Sequence, residues 1–313
     1  MKLANQIING NRTALAKGIT LLESTLFKHK DISQQLISAC LPFSGKSIRI
    51  GITGVPGVGK STFIEVFGKL LISKGKKVAV LAIDPTSQQN QGSILGDKSR
   101  MNELSKDHNA FIRPSPNSGV LGGVANKSRE SIILCEAAGY DVILVETVGV
   151  GQSETTVSNL SDFLLLLMLS GAGDELQGIK RGIMELADAV IINKSDGNNI
   201  LNAKTSSLEY RNALSLFPQM ENGWTPKVSV CSSLNNTGID KIWNLITQYN
   251  TQMINNGWKN KKRKTQNLYW LHHIVKEELG NKRYNILLAE KKFKLLEKDL
   301  IDGKTIYELL QSL

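Results

Sequence analysis

The stretch that most constrains the fold of this chain is G-V-P-G-V-G-K-S-T at residues 54–62. An apolar, β-branched segment precedes it, and a segment with helical spacing of apolar side chains follows it. This order predicts a strand, a glycine-rich loop and a helix. Glycines let the backbone wrap closely around a phosphate, and the N-terminus of the next helix adds its positive dipole end. The stretch therefore predicts a site for nucleotide phosphates.

The side chains of this loop have separate expected contacts. Lys60 supplies a point charge to the β- and γ-phosphates, the Ser61 hydroxyl is placed to ligate Mg²⁺, and Thr62 contacts the α-phosphate. The predicted nucleotide-binding residues of the loop are Gly54, Val55, Pro56, Gly57, Val58, Gly59, Lys60, Ser61 and Thr62. A glycine-rich turn without a nucleotide is the alternative, and the complete pattern between a strand and a helix argues against it.

A second motif, N-K-S-D at residues 193–196, follows the apolar run A-D-A-V-I-I. Ligands bind at the carboxyl edge of parallel sheets, where this motif is expected to lie. Asp196 can accept hydrogen bonds from N1–H and the 2-amino group of guanine, whereas adenine would leave the carboxylate unpaired. The Lys194 stem would cover one face of the base, and Asn193 would tie the loop to the phosphate loop. The sequence thus predicts guanine over adenine.

The segment C-S-S-L at residues 231–234 follows the last predicted strand. At that position it can offer backbone N–H groups to guanine O6. The residues predicted to do so are Ser232, Ser233 and Leu234.

Three acidic residues are candidates for handling Mg²⁺. Asp84 and Glu146 each end an apolar strand-like run, and Asp97 lies thirteen residues after Asp84. A strand-terminal carboxylate beside a phosphate loop is how such enzymes hold the ion or its waters. An acid that caps the following turn is the alternative for each of them. Gly149, three residues after Glu146, can present its N–H group to the γ-phosphate.

The alternation of apolar β-branched runs with helical patterns predicts an α/β fold with a mostly parallel central sheet, of the P-loop NTPase type. The predicted strands cover residues 47–53, 77–83, 141–145, 162–169, 189–193 and 226–230. Helical patterns lie between them, as at 61–73, 128–138 and 178–186. Strands are absent before residue 45 and after about residue 250. We therefore expect a helical N-terminal extension (1–45), a nucleotide-binding domain (46–250) and a helical C-terminal segment (251–313).

Composition narrows the remaining classes of protein. The chain has 313 residues, 41% of them hydrophobic, which suffices for a sizeable core. Its three cysteines show no paired spacing, which favours a reducing compartment. The N-terminus lacks the apolar core of a signal peptide, and the most apolar run, at 163–169, is too short to cross a bilayer. We expect a soluble, cytoplasmic protein with no membrane partner.

The net charge of +10 includes a basic run at 259–264 near the C-terminus. Such a run could bind nucleic acid, but no aromatic platform accompanies it, so a solvated linker is favoured and no nucleic-acid partner is expected. The adjacent pair His272–His273 is interpreted as a solvated part of a helix.

Longer strings resemble one family specifically. They are E-T-V-G-V-G-Q-S-E at 146–154, G-A-G-D-E-L-Q-G-I-K-R-G-I-M-E-L-A-D at 171–188, G-S-I-L-G-D at 92–97, R-P-S-P-N-S-G-V-L-G-G-V at 113–124 and N-R-T-A-L-A-K-G-I-T-L-L-E-S at 11–24. Together they resemble the MeaB/ArgK-like GTPases, also called the methylmalonic aciduria type A family. The matches extend from about residue 10 to about residue 250, and the helical C-terminus is similar to the family's dimerisation arm.

This resemblance implies a homodimeric G protein that binds GTP/GDP and Mg²⁺. Its partner would be an adenosylcobalamin-dependent acyl-CoA mutase, most often methylmalonyl-CoA mutase, whose cofactor loading it gates and which it protects or reactivates. In the family, Asp84, Asp97 and Glu146 match the acids that handle Mg²⁺. Lys180 matches a lysine in a loop called switch III, so the resemblance makes residues 171–183 the coupling element and Lys180 a charge stabiliser.

One departure from the family pattern lies after Asp84. The chain reads T-S-Q-Q-N-Q-G at 86–92, with Gln89 and Gln91 in place of an expected Arg and Gly. Slow hydrolysis without the partner is therefore expected. Asp84 and Gln152 are both candidates for the residue that orients or activates the attacking water, and Gln152 as a simple turn residue is equally open.

The predicted function is that of a GTP-hydrolysing chaperone of such a mutase. A kinase of amino-acid-binding transport proteins is an alternative, although nothing marks an acceptor site. A nickel-delivery GTPase would want a His or Cys cluster that is missing. A nucleotide-sensing scaffold with negligible turnover stays open, as do the methylmalonyl-CoA, isobutyryl-CoA and ethylmalonyl-CoA mutases as partners.

Overall fold

The computed structural model describes residues 2–83, 101–114, 121–147, 153–171, 181–311 and 313. The chain divides into two compact units. The first comprises Met1–Gly45, Val120–Ala138 and Gly257–Leu313, and the second comprises Lys46–Gly119 and Gly139–Asn256. The N-terminal and C-terminal helical segments thus belong to one unit, which also takes in one helix from the middle of the chain.

The second unit is built on a seven-stranded sheet in which every described pairing is parallel. The strands are β1 (Ile48–Gly54), β2 (Val78–Ile83), β3 (Ala110–Arg113), β4 (Val142–Thr147), β5 (Phe163–Met168), β6 (Ala189–Ile192) and β7 (Lys227–Val230). Their order is β3-β2-β4-β1-β5-β6-β7. β4, β5 and β6 are buried along their whole length, as continuous apolar strands with both faces covered should be.

The described α-helices, numbered in chain order, are α1 (Lys2–Ile8), α2 (Arg12–Glu23), α3 (Lys30–Cys40), α4 (Lys60–Ser73), α5 (Asn102–Lys106), α6 (Leu121–Ala137), α7 (Ser153–Ser158), α8 (Arg181–Leu186), α9 (Ile200–Ser215), α10 (Ile239–Asn255), α11 (Trp258–Ala289), α12 (Phe293–Ile301) and α13 (Ile306–Gln311). Short 3₁₀ turns lie at Phe27–His29, Leu41–Phe43 and Gly197–Asn199. Among the helices of the described ranges, none combines the length and the apolarity needed to cross a membrane.

β1 lies at the centre of the sheet, between β4 and β5. A Cβ atom on Gly51 would lie 2.6 Å from Val157 Cγ1, so the glycine allows α7 to pack directly on this strand. β2, β3 and β4 lie on one side of β1, and β5, β6 and β7 lie on the other. The order of the strands reverses at β1, and open parallel sheets bind their ligands at such a point.

The part of the sheet around β5 and β6 is held by one apolar cluster. The buried residues of this cluster are Leu166, Met168, Ile183, Met184, Ala187, Val190, Ile192, Ala203, Tyr210 and Leu214. They come from β5, β6, α8 and α9, together with the residue that follows α8. The cluster therefore positions the carboxyl ends of both strands and the start of α9.

The first unit is helical, and its core includes the fully buried Ile7, Leu15, Ile19, Leu22 and Ile37. Polar contacts tie the C-terminal helices to the rest of this unit. The Tyr307 hydroxyl of α13 donates to Glu130 Oε1 of α6 at 2.7 Å, and Arg263 Nη1 of α11 donates to the Gly45 carbonyl at 2.6 Å.

Several sequence predictions need correction. β3 was missed, and its pairing with β2 is what defines it as a strand. The basic run at 259–264 lies within α11 and is not a linker. Residues 258–289 form one helix that is interrupted by the non-helical Gly280, whose φ is 72° and ψ 163°.

The prediction of a solvated pair at His272–His273 was also wrong. The His272 ring stacks on Phe293 at 4.2 Å between centroids, and its nitrogens lie 2.8 Å from Tyr284 Oη and 2.8 Å from Glu297 Oε1. His273 stacks on Trp270. The His272 ring therefore takes part in the packing of α11 against α12, and the His273 ring packs on a residue of its own helix.

Candidate nucleotide-binding site

The phosphate loop leaves the central strand through a glycine that no other residue could replace without movement. A Cβ atom on Gly54, whose φ is +156°, would lie 2.3 Å from the Leu167 carbonyl oxygen of β5. Gly57 and Gly59 have φ values of +74° and +89°, in the left-handed region that favours glycine. Gly59 is the N-cap of α4, so the first N–H groups of this helix face the loop. This arrangement can bind an anion with backbone donors.

Lys60 is the first residue of α4, and its side chain folds back over the loop. Its Nζ donates to the Gly54 carbonyl at 2.9 Å and to the Val55 carbonyl at 3.5 Å. Burial lowers the pKa of Lys60 from its usual value, and attraction to Glu146 opposes that change. Phosphate oxygens can replace these carbonyls as acceptors, and they would favour the charged form of the lysine.

Ser61 faces the end of β4. Its hydroxyl donates to Glu146 Oε1 at 3.3 Å, and both residues are buried. β1 and β4 are paired in register with Ile52 opposite Glu146, so the carboxylate lies beside the start of the loop. A hydroxyl and a carboxylate are hard oxygen donors of the kind that Mg²⁺ prefers. Thr62, the next residue, is exposed.

Asn193 joins three loops through one amide. Its Nδ2 donates to the Val58 carbonyl of the phosphate loop at 2.9 Å. Its Oδ1 accepts from the Ser233 N–H at 3.2 Å, the Ser233 hydroxyl at 2.9 Å and the Cys231 thiol at 3.4 Å. Burial raises the pKa of the Cys231 thiol to about 12, so the thiol keeps the proton that it donates. The residue is 1% exposed, and these bonds satisfy its carbonyl oxygen and one of its two amide N–H donors.

The segment after Asn193 carries Lys194 and Asp196, the residues predicted to contact the base. Lys194 has a φ of +56°, which is uncommon for a residue with a side chain. The Ser195 N–H donates to the Cys231 carbonyl at 3.0 Å, and the Ser232 hydroxyl donates to Asp196 Oδ2. The carboxylate of Asp196 is therefore held between its own loop and residues 231–234.

The second loop has its own internal bonds. Ser232 pairs with Thr237 in an isolated antiparallel bridge, and the Asn235 N–H donates to the Ser232 hydroxyl at 3.1 Å. Gly238 follows this turn and has a φ of +78°. A Cβ atom there would lie 2.5 Å from the Val230 carbonyl, so this position requires glycine. Leu234 is 78% exposed and extends from this loop.

The structure thus brings most of the predicted site residues to one edge of the sheet. Residues 54–62, Glu146, Asn193, Lys194, Asp196 and residues 232–234 lie at or beside the carboxyl ends of β1, β4, β6 and β7. The remaining predicted site residues, Asp84, Asp97, Gly149, Gln152 and Lys180, lie outside the described residues.

Sequence reasoning missed three contributors to this edge. The side chains of Ser232 and Cys231 hold other site residues, whereas only backbone N–H groups were expected from this segment. Asn199 bonds to the Lys194 carbonyl and was not singled out. Their partners lie on other loops or several residues away, so no local spacing would have marked them.

A central strand, a glycine-rich loop and the N-terminus of a helix, with an Asn-Lys-Ser-Asp loop beside them, define a P-loop protein built to bind a guanine nucleotide. Comparisons with known proteins carry this further. The family model described as "Methylmalonyl Co-A mutase-associated GTPase MeaB" matches residues 15–286. The chain belongs to the MeaB family and is a GTPase.

Individual relatives agree with this placement. The GTPase ArgK of Escherichia coli (strain K12) is 48% identical over 272 residues, which are 87% of this chain and 82% of the relative. The mitochondrial methylmalonic aciduria type A homolog of Mus musculus is 43% identical over 312 residues, covering 96% of this chain and 75% of the relative. A crystal structure of the LAO/AO transport system kinase matches with a TM-score of 0.78 and 38% identity, covering 99% of this chain and 97% of that chain. The predicted family and fold class are confirmed.

Proposed function

We propose that this GTPase is a chaperone of an adenosylcobalamin-dependent acyl-CoA mutase, with methylmalonyl-CoA mutase as the first candidate. It would gate loading of the cobalamin cofactor and protect or reactivate the mutase. The observation that carries the proposal is the family match over residues 15–286, whose description names association with methylmalonyl-CoA mutase. The mouse relative, named for methylmalonic aciduria, supports the same partner.

The guanine nucleotide would lie across the carboxyl edge of the sheet. The phosphate-loop amides and Lys60 would hold its phosphates, and Asp196 would pair with the base. The Leu234 N–H would be offered to O6. The expectation that Ser232 and Ser233 do the same was wrong, because their N–H groups donate to the Thr237 carbonyl and to Asn193 Oδ1. The supporting geometry is the amide of Asn193, which holds the phosphate loop and residues 231–234 together.

The oxygen donors beside the loop fit Mg²⁺. Ser61 at the start of α4 and Glu146 near the end of β4 lie within hydrogen-bond distance of each other, and both are buried. We propose that Ser61 ligates the ion directly and that Glu146 holds it or one of its waters, with Asp84 and Asp97 as further acids. The ion would supply neutralising charge to the β- and γ-phosphates.

Hydrolysis would proceed by attack of water on the γ-phosphorus. The new oxygen–phosphorus bond forms as the bond to the β,γ-bridging oxygen breaks, which releases GDP and inorganic phosphate. Lys60 and the loop N–H groups stabilise charge on the phosphoryl oxygens and the leaving group. Asp84 or Gln152 would orient the water, Gly149 would donate to the γ-phosphate, and Lys180 would add charge stabilisation when the partner docks.

We further propose that residues 251–313 form the arm of a homodimer in the cytoplasm, and that residues 171–183 couple the nucleotide site to the mutase. Neither a membrane nor a nucleic acid is proposed as a partner. The basic run at 259–264 lies on α11 of the first unit, where Arg263 already bonds to the Gly45 carbonyl.

The test is GTP turnover by the purified protein with and without methylmalonyl-CoA mutase. We expect the mutase to bind and to accelerate turnover at least tenfold, and we expect Lys60→Ala to abolish both basal and stimulated turnover. A mutase that neither binds nor stimulates would contradict the chaperone proposal. Isobutyryl-CoA and ethylmalonyl-CoA mutases, assayed in parallel, show which enzyme is served.

The name of the matched crystal structure makes a kinase the second candidate. GTP labelled at the γ-phosphate separates the two when it is incubated with an amino-acid-binding transport protein. Label recovered as inorganic phosphate supports hydrolysis, and label retained on the transport protein would favour the kinase.

A further inference from the structure

Asn199 lies beside the base-reading loop, residues 193–196, at a position where an asparagine side chain usually caps the following helix. It ends the 3₁₀ turn Gly197–Asn199 and is the N-cap residue of α9. Asparagine is common at this position because its side chain accepts a hydrogen bond from the first turn of its own helix. Asn199 makes no such cap bond. Instead, the nitrogen and the oxygen of its side-chain amide form hydrogen bonds to two other parts of the chain.

One direction leads to the base-reading loop. Asn199 Nδ2 donates to the Lys194 carbonyl at 2.7 Å, and the Asn199 N–H donates to the Asp196 carbonyl at 2.9 Å. Lys194 is the residue with a φ of +56°, a conformation that is unfavourable without support. The side-chain bond therefore closes a ring over residues 194–199 and holds the backbone that carries Asp196.

The other direction leads to the exit from β5. The Ser170 hydroxyl donates to Asn199 Oδ1 at 2.6 Å. The next residue, Gly171, has a φ of +80°, and its N–H donates to the Ser206 hydroxyl of α9 at 3.2 Å. Ser206 is 4% exposed, so this anchor is in the interior. The point where the chain leaves β5 is thus bonded to Asn199 and to α9.

We propose that Asn199 is a positioning residue that couples the base-reading loop to the chain leaving β5 at Ser170 and Gly171. The amide group is planar and rigid, so its oxygen and nitrogen move together. A displacement of the Lys194 carbonyl when guanine binds is transmitted to the Ser170 hydroxyl. This deepens the proposed function, on which it rests, because the segment that starts at Gly171 contains Lys180, the proposed charge stabiliser.

The test separates the two directions with variants of the full-length protein. Ser170→Ala removes only the bond to the β5 exit. Asn199→Asp keeps the acceptor for Ser170 but replaces the donor to Lys194 by an oxygen, and Asn199→Ala removes both bonds. Ser207→Ala is the matched control, since among the described residues the Ser207 hydroxyl bonds to the Lys204 carbonyl of its own helix alone.

Two readouts are used, and neither needs the mutase. The first is the dissociation constant of GDP and of inosine diphosphate, which lacks the 2-amino group that Asp196 would bind. The second is hydrogen exchange in peptides that contain Gly171, with and without saturating nucleotide. In the unmodified protein and in Ser207→Ala we expect GDP to slow this exchange.

Asn199→Ala and Asn199→Asp should weaken GDP by about tenfold, the worth of one well-placed hydrogen bond, and weaken inosine diphosphate less. Ser170→Ala should leave both dissociation constants within twofold and yet abolish the slowing of exchange by GDP. Full slowing in Ser170→Ala, or equal weakening of both nucleotides in the Asn199 variants, would overturn the proposal. Because the isolated protein is used, a failure of the mutase to stimulate turnover would count against the proposed function and not against this coupling.

Discussion

The Ser232 hydroxyl donates a hydrogen bond to Asp196 Oδ2 across two loops that are 36 residues apart in the chain. Ser232 is fully buried, and its own hydroxyl accepts from the Asn235 N–H at 3.1 Å. The serine therefore orients the carboxylate that we propose pairs with guanine. In this proposal Asp196 recognises the base, and Ser232 sets the orientation of its carboxylate.

Exchanging the acceptor at Asp196 should change the base that is bound. In Asp196→Asn an N–H donor faces the position of the guanine amino group, so GDP should bind at least a hundredfold more weakly. Xanthosine diphosphate, which has a carbonyl there, should gain affinity. Ser232→Ala should weaken GDP only about fivefold, since it misaligns the carboxylate without removing it. Titration with fluorescent nucleotides measures these affinities. An Asp196→Asn protein that still prefers GDP to xanthosine diphosphate would refute the proposed pairing of Asp196 with guanine.

Turnover should depend on Lys60 far more than on other lysines of α4. Lys60→Ala removes charge stabilisation at the β- and γ-phosphates, and we expect GTP turnover to fall at least a hundredfold. Lys69→Ala, an exposed lysine on the same helix, is the control and should be unchanged. Ser61→Ala should raise the Mg²⁺ concentration needed for half-maximal turnover. A Mg²⁺ requirement that stays the same in Ser61→Ala would remove the role proposed for that hydroxyl.

Two glycine substitutions should differ in their effect on the free energy of unfolding. In Gly54→Ala the new methyl group would lie 2.3 Å from a backbone oxygen of β5, so the two central strands must separate or the loop must move. We expect a loss of several kcal/mol in the free energy of unfolding. In Gly182→Ala, inside α8, no atom of the described residues lies within 4 Å of the added atom, so this change should be neutral or stabilising by up to about 1 kcal/mol. Chemical denaturation measures the free energy of unfolding of both variants. An unchanged value for Gly54→Ala would contradict the packing described for β1 and β5.

Glu277 should make the stability of the protein depend on pH. Burial raises its pKa above the ordinary 4.5, against the opposing attraction of His273, and its carboxylate accepts from the Asn126 amide. A carboxyl group whose pKa is higher when folded contributes stability that is full below the unfolded pKa and is lost as pH rises through the folded pKa. Glu277→Gln cannot ionise, so it should match the unmodified protein near pH 4.5 and be more stable at pH 7.5.

Thermal unfolding at the two pH values measures this difference. Glu278→Gln is the control, because the neighbouring Glu278 forms an exposed ion pair with Lys30 at 2.7 Å, whose loss costs little. If Glu277→Gln is less stable than the unmodified protein at pH 7.5, the bond from Asn126 outweighs the cost of burying the charge.

The parts of the site that could be predicted are contiguous in the chain. The phosphate loop needs only a strand, a few glycines and a helix in order, and residues 48–73 supply all of them. Six of the seven strands were predicted, and five of them are largely buried and rich in apolar residues, as parallel strands covered on both faces should be. β3 was missed although it is as long as the predicted β6 and β7, and it is identified by its pairing with β2. The basic run at 259–264 was misread because charge alone does not distinguish a linker from a helix whose apolar residues lie further along.

The fold class, the position of the phosphate loop and the expectation of guanine could each be read from the spacing of residues within a short segment. The side chains that hold these segments together became apparent only in the folded chain. Ser61 meets Glu146 across 85 residues, Asn193 meets Val58 across 135, and Asn199 meets Ser170 across 29. These contacts follow from the order of the strands, which places the carboxyl ends of β1, β4, β5 and β6 side by side. That order is set by how the crossover helices pack on the sheet, so no local pattern in the chain encodes which residues meet.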